Sequence, residues 1–185
     1  MTNTEYSLAE TEQWRQDKDA EFRHPSTSPL TADQRDRFDG LRYFPIDPAL
    51  CFIIEAEVFP DDEQTMQRIM TTANEIRHYV RYARLSFSVA TAVGDQSGSL
   101  VLYLDQDGEN FFLPFMDTTN GAETYAAGRY VEIERLGGGV VRVDFNRAYN
   151  PYCAYNAGWN CPYVPTDNRL DLPIRAGEMR PPDMA

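Results

Sequence analysis

Three consecutive glycines between two β-rich runs, RYVEIERLGGGVVRVDFN over 129–146, constrain this chain more than any other stretch. Glycine enters the left-handed region without strain, so the triplet predicts a reversal between paired strands. If all three glycines form the loop, Val131 faces Phe145 and Ile133 faces Val143, which puts both apolar sets on one side. A two-residue loop would scatter them. The same register sets Glu134 opposite Arg142, a favourable pair, and Glu132 opposite Asp144, an unfavourable one.

Period-two patterning recurs in CFIIEAEVF, in ARLSFSVATAV with Leu85, Phe87, Val89 and Val93 in step, in SLVLYLDQ and in FFLPFM. The stretch from Asp61 to His78 reads either as a short helix or as another irregular strand. Ser7 and Glu10 form a capping-box pattern opening a polar helix to Phe22, anchored by Leu8, Trp14 and Phe22. Thr31 and Gln34 open a shorter one through Phe38, with Gly40 as its left-handed cap. After Asn146 the chain is dense in Asn, Pro, Gly and Tyr and shows no clean periodicity. The expected fold is mainly β, an antiparallel sandwich or partly closed barrel of seven to nine strands, with one or two N-terminal helices and a long irregular C-terminal wrap. At 185 residues one domain is expected: a helical segment 1–40, a β core 41–146, an ordered irregular wrap 147–178 and a loose tail 179–185.

Charge narrows the partners. Asp and Glu number 29 against 17 Lys and Arg, a net charge of -12, and Lys18 is the single lysine. An acid excess repels itself in dilute buffer, and molar salt shortens the Debye length to ~3 Å, so the composition reads as halophilic. Phosphate-backbone binding is disfavoured, and nucleic acid is not an expected partner. The N-terminus lacks the basic start and apolar run of a signal peptide, and no window approaches a membrane span, so a cytoplasmic location without a membrane partner is expected. Cys51, Cys153 and Cys161 form an odd set without CxxC, and with two histidines they argue for free thiols and against zinc. Composition leaves the oligomeric state open.

DTTNGAETYAAGRY at 117–130 and DFNRAYNPYCAYNAGWNCPYVPTDNRL at 144–170 resemble the bacterial and archaeal family called domain of unknown function 1684. A tryptophan-bearing N-terminal helix (Trp14), the SPL turn at 28–30, the segment at 40–47 and the late AGE at 176–178 extend the resemblance. It implies a β-rich fold and carries no established activity.

Several constellations could carry chemistry. The loop holding Asp117, Thr118, Thr119, Asn120, Glu123 and Thr124 offers oxygens either for Ca²⁺ or Mg²⁺ or for its own backbone, and no cofactor is expected. Facing carboxylates at Glu132 and Asp144 could supply an acid and a base, or simply hold water and cations. Cys153 is a nucleophile candidate without a histidine nearby in sequence. Tyr125, Tyr130, Tyr149, Tyr152, Tyr155, Trp159 and Tyr163 beside Asn146, Asn150, Asn156 and Asn168 could line a pocket for a flat polar ligand, or complete an irregular core. Arg129 and Asp144 are expected to pair across the hairpin.

The leading functional expectation is a small-molecule-binding domain. Its pocket should lie between the DTTNGAETY loop and the NPYCAYN wrap, lined by Asp117, Thr118, Tyr125, Arg129, Asn146, Tyr149, Asn150 and Tyr155. The alternatives are a carboxylate-dependent hydrolase using Glu123, Glu132 or Asp144, and a scaffold without a pocket.

Overall fold

A computed structural model describes residues 6–181. Helix α1 (Leu8–Arg23) starts where the Glu10 amide donates to Ser7 Oγ at 3.2 Å, and it turns Thr11, Lys18 and Phe22 inward. Helix α2 (Ala32–Asp36) opens on a complete capping box between Thr31 and Gln34. It ends at Asp36, two residues before the expected Phe38, with Arg37 as its C-cap; Gly40, at φ +127°, lies beyond the cap. Phe22 anchors both helices by packing against Phe38, Tyr152 and Tyr155.

Among the described residues ten strands follow: β1 (Cys51–Glu55), β2 (Glu57–Val58), β3 (Met66–Met70), β4 (Ile76–Thr91), β5 (Gly94–Asp105), β6 (Phe111–Phe112), β7 (Pro114–Phe115), β8 (Arg129–Tyr130), β9 (Ile133–Gly137) and β10 (Val140–Asp144). They form three antiparallel sheets that do not close into a barrel: β1-β10-β9, then β2-β4-β5-β6 with β3 also on β4, and β7-β8. The stretch that was ambiguous in sequence is strand, since β3 pairs with the start of β4. Inward residues Leu85, Phe87 and Val89 of β4 meet Ile54, Val141 and Val143 of the other sheet in one core, as alternation requires. Val93 departs from the expected pattern: it sits at the tip of the β4-β5 hairpin, 85% exposed.

The glycine hairpin keeps the expected register by another route. Val143 pairs with Ile133 and Arg142 with Glu134, the latter closing an ion pair at 2.6 Å. However, Val140 pairs with Gly137, so the loop is the two residues 138–139. A bulge between Val140 and Val141 then takes up one residue and restores the faces. The pairing stops at Ile133. Val131 donates to Leu113, and Asp144 lies opposite Cys51 instead of Glu132.

The C-terminal wrap is more regular than its composition. Leu170, Leu172, Ile174 and Ala176 are buried in alternation and join the main core. The segment runs beside residues 116–118, with the Met116 amide donating to Asn168 and the Leu170 amide to Met116. Asn168, fully buried, accepts from the Val101 amide and donates to Val101 and Pro114, so its side chain completes backbone that no strand covers. Hydrogen bonding continues through Met179, which donates to Arg42, and Arg180, which donates to Glu123. Of the expected tail, residues 182–185 lie outside the described residues.

Candidate functional site

The polar loop at 117–124 bonds to itself. Asp117 Oδ1 accepts from the Thr119 amide and hydroxyl, the Asn120 amide group donates to Thr124 Oγ1 and to Tyr125, and Thr119 bonds Thr124. Asp117 Oδ2 takes Arg129 at 2.8 Å, with both side chains fully buried. The predicted Arg129–Asp144 pair is therefore not formed. Arg129 reaches across the β7-β8 ribbon and donates to the carbonyls of Ile174, Ala176 and Glu178. A planar fork meeting three successive inward-facing residues clamps the wrap to the sheet. Burial pushes the Arg129 guanidinium down from its usual range, and Asp117 opposes that shift.

A cleft of about 630 Å³ opens instead between α1 and the wrap. Helical spacing puts Trp14, Lys18 and Glu21 on its near wall. Tyr130, Glu132, Tyr149, Tyr152 and Trp159 form the far wall, and exposed Arg77 and buried Cys161 also line the cleft. The Tyr149 hydroxyl donates to Glu132 at 2.5 Å and the Tyr152 hydroxyl to Glu21 at 3.1 Å, so two wall tyrosines fix two carboxylates. Burial, reinforced by those carboxylates, pushes Tyr152 up to about 12 and Tyr149 well above the ordinary phenol range; both stay donors.

Lys18, the single lysine, is a buried part of this cleft's wall. Its Nζ lies 4.2 Å from the Tyr149 ring centre and 5.2 Å from that of Trp14, and 2.7 Å from Glu178 Oε1. Glu178 is fully buried, and its other oxygen accepts from the Asn150 amide and the Tyr155 hydroxyl. One carboxylate thereby ties α1, the 150–155 turn and the end of the wrap together.

A second cleft, about 740 Å³, lies nearer the N-terminus of α1 and shares Trp14 and Glu132 with the first. Glu132 and Asp144, the predicted acid pair, both line it beside Cys51, Arg142 and Arg147. Asp144 accepts from Tyr6 and from the amide and side chain of Asn146, and it forms an ion pair with Arg147 at 3.5 Å. Burial raises the Cys51 thiol to about 11.

The other predicted residues are placed differently. Glu123 is held by Arg175 through three contacts of 2.8–3.1 Å, which keep its carboxyl below the ordinary range. Asn146 exchanges hydrogen bonds with the backbone of Asp47, and Asn150 donates to Tyr155 and Met179. Thr118 is exposed. Asp117, Thr118, Tyr125, Arg129, Asn146, Asn150 and Tyr155 line neither cleft; Tyr149 lines the aromatic one. The cysteines are free thiols. Cys153 and Cys161 interact with each other, and the Cys153 thiol favours the Cys161 thiolate, with Arg77 adding to the effect. Among the described residues no three of His, Cys, Asp and Glu gather as a metal ion requires. No helix there is long and apolar enough to cross a membrane.

Sequence reasoning missed Trp14, Lys18 and Glu21 as wall residues. The available signal was a lone lysine four positions after a tryptophan, on one helix face.

These features define a β-rich scaffold with an aromatic cleft under its N-terminal helix. The chain belongs to the family described as protein of unknown function (DUF1684), whose model matches residues 36–179. It is similar to the uncharacterised protein of Haloarcula marismortui solved by solution NMR, at 32% identity and a TM-score of 0.63. The match covers 92% of this chain and 96% of that one. Among curated proteins none matches.

Proposed function

We propose that this chain binds a small molecule in the cleft between α1 and the C-terminal wrap. The observation that carries the reading is the convergence of five aromatic side chains, Trp14, Tyr130, Tyr149, Tyr152 and Trp159, on one cleft of ligand size. Aromatic walls supply contact area at low entropic cost, and hydrogen-bonded carboxylates at the rim supply orientation. Trp159 remains 41% exposed while its indole N–H is bonded to the Pro29 carbonyl, so its orientation is fixed and its surface stays open. The acid excess, together with the Haloarcula marismortui relative, supports a setting of high salt.

Both tryptophans of the chain line this cleft, which makes fluorescence a direct probe. In molar KCl, a collection of metabolites should contain at least one compound that raises the melting temperature and shifts tryptophan emission. A ligand at a hundredfold its Kd stabilises by about 2.7 kcal/mol. Tyr152→Ala should abolish both signals. Stabilisation without any change in emission would place binding elsewhere and refute the cleft.

A second reading, the carboxylate-dependent hydrolase, is supported by Glu132 and Asp144 sharing the larger cleft. It requires that Glu132→Gln retain the fold and lose turnover of some ester, amide or glycoside.

A further inference from the structure

The aromatic cleft carries an excess of negative charge. Asp17, Glu21 and Glu132 line it against Arg77 and Lys18, and Lys18 is already matched by the buried carboxylate of Glu178. Arg77 in turn donates to the Asn160 carbonyl at 3.0 Å. An anion entering here would meet three carboxylates, two of them held in place by tyrosine hydroxyls, against the one guanidinium of Arg77, which keeps its charge. A hard, strongly hydrated metal ion would find no cluster of ligating groups among the described residues.

The walls favour the opposite charge. Ring faces attract cations, most strongly where water is partly excluded. This cleft already demonstrates that property, because the Lys18 ammonium rests on the Tyr149 and Trp14 rings in its wall. Tyr152 and Trp159 make a second corner, packed edge to face with ring centres 5.0 Å apart at 66° and with the Trp159 ring partly open to solvent. Glu21, bonded to the Tyr152 hydroxyl, keeps a carboxylate oxygen free beside that corner. Two rings at a steep angle with a fixed carboxylate suit a soft cation that is poorly hydrated and cannot use directional hydrogen bonds.

We infer that the ligand is an organic cation whose methylated or quaternary ammonium head seats against Tyr152 and Trp159 beside Glu21. This inference rests on the binding reading above and narrows it to one chemical class.

The test titrates tetramethylammonium chloride into the full chain in molar NaCl, exchanging one salt for the other at constant chloride, with tryptophan emission as the readout. Inorganic phosphate and glucose serve as anionic and neutral probes. Tetramethylammonium should give a saturable change and the other two none. Glu21→Gln and Trp159→Ala should each weaken it by about three- to thirtyfold with unchanged far-UV circular dichroism, Trp14 reporting in the second variant. Saturation by phosphate or glucose in place of the ammonium would overturn the cationic class and leave the cleft standing. An ammonium response undiminished in both variants would overturn the site. If no probe saturates, the cationic class falls, and the metabolite collection decides separately whether the cleft binds anything.

Discussion

Lys18 shows how much one side chain can hold. Its ammonium and the Glu178 carboxylate are both removed from water, and the pair is repaid by contact, by two ring faces and by the donors on the second carboxylate oxygen. Removing one partner leaves a buried charge alone. Lys18→Met should cost about 3–5 kcal/mol in denaturant unfolding. Adding Glu178→Gln should recover part of that loss, because the amide keeps an acceptor for Tyr155 and carries no charge. A single variant within about 1 kcal/mol of the parent would show that the ammonium is not the lock. Legibility at this scale was uneven. A lone lysine among the 17 Lys and Arg is visible in the sequence, as is Arg129 as one half of an ion pair, but Arg129's partner and burial are not. Asp117 and Asp144 are both plausible by spacing, and only the β7-β8 ribbon, which ties the end of the 117–128 loop back against its start, decides for Asp117.

The wrap is where element-scale reasoning changed most. Its inward residues alternate from Asn168 to Glu178, yet Pro173 removes a donor and the segment gains only scattered backbone partners, so composition reads as loop while burial follows strand rules. The glycine hairpin is the converse: its faces were readable, and the bulge that preserves them was not, because any of three glycines can occupy the turn. Gly177 tests whether the wrap is core. It has φ +72°, and a Cβ there would lie 2.5 Å from the Ala148 carbonyl oxygen and 2.7 Å from that of Phe145. Gly121 has a similar φ of +85° with nothing within 4 Å. Gly121→Ala should therefore cost about 1 kcal/mol from backbone strain, and Gly177→Ala at least about 1–2 kcal/mol more. The two midpoints in urea at unchanged slope measure the difference, and equal costs would mean that the wrap yields easily.

At the scale of the whole molecule, charge and family resemblance were legible from the start, whereas the cleft was not. It is assembled from α1, Arg77, the strand at 130 and the turns at 149–162, segments whose proximity no local pattern encodes. With a net charge of -12, the compact state is opposed by its own field. Raising KCl from about 0.1 to 1 M contracts the Debye length from ~10 to ~3 Å and should raise the melting temperature. A flat or falling melting curve would refute adaptation to salt. The tie between Lys18 and Glu178 has a consequence in time as well. Translation delivers α1 before the strands, but the carboxylate that seats it emerges only after them, as do Tyr149 and Tyr152 of the cleft wall. A polar helix with three inward residues has little to bury before then. The nascent chain therefore pairs its strands before it completes the aromatic cleft, so a ribosome-bound intermediate that still lacks the wrap should have paired strands, an incomplete core and an open cleft wall.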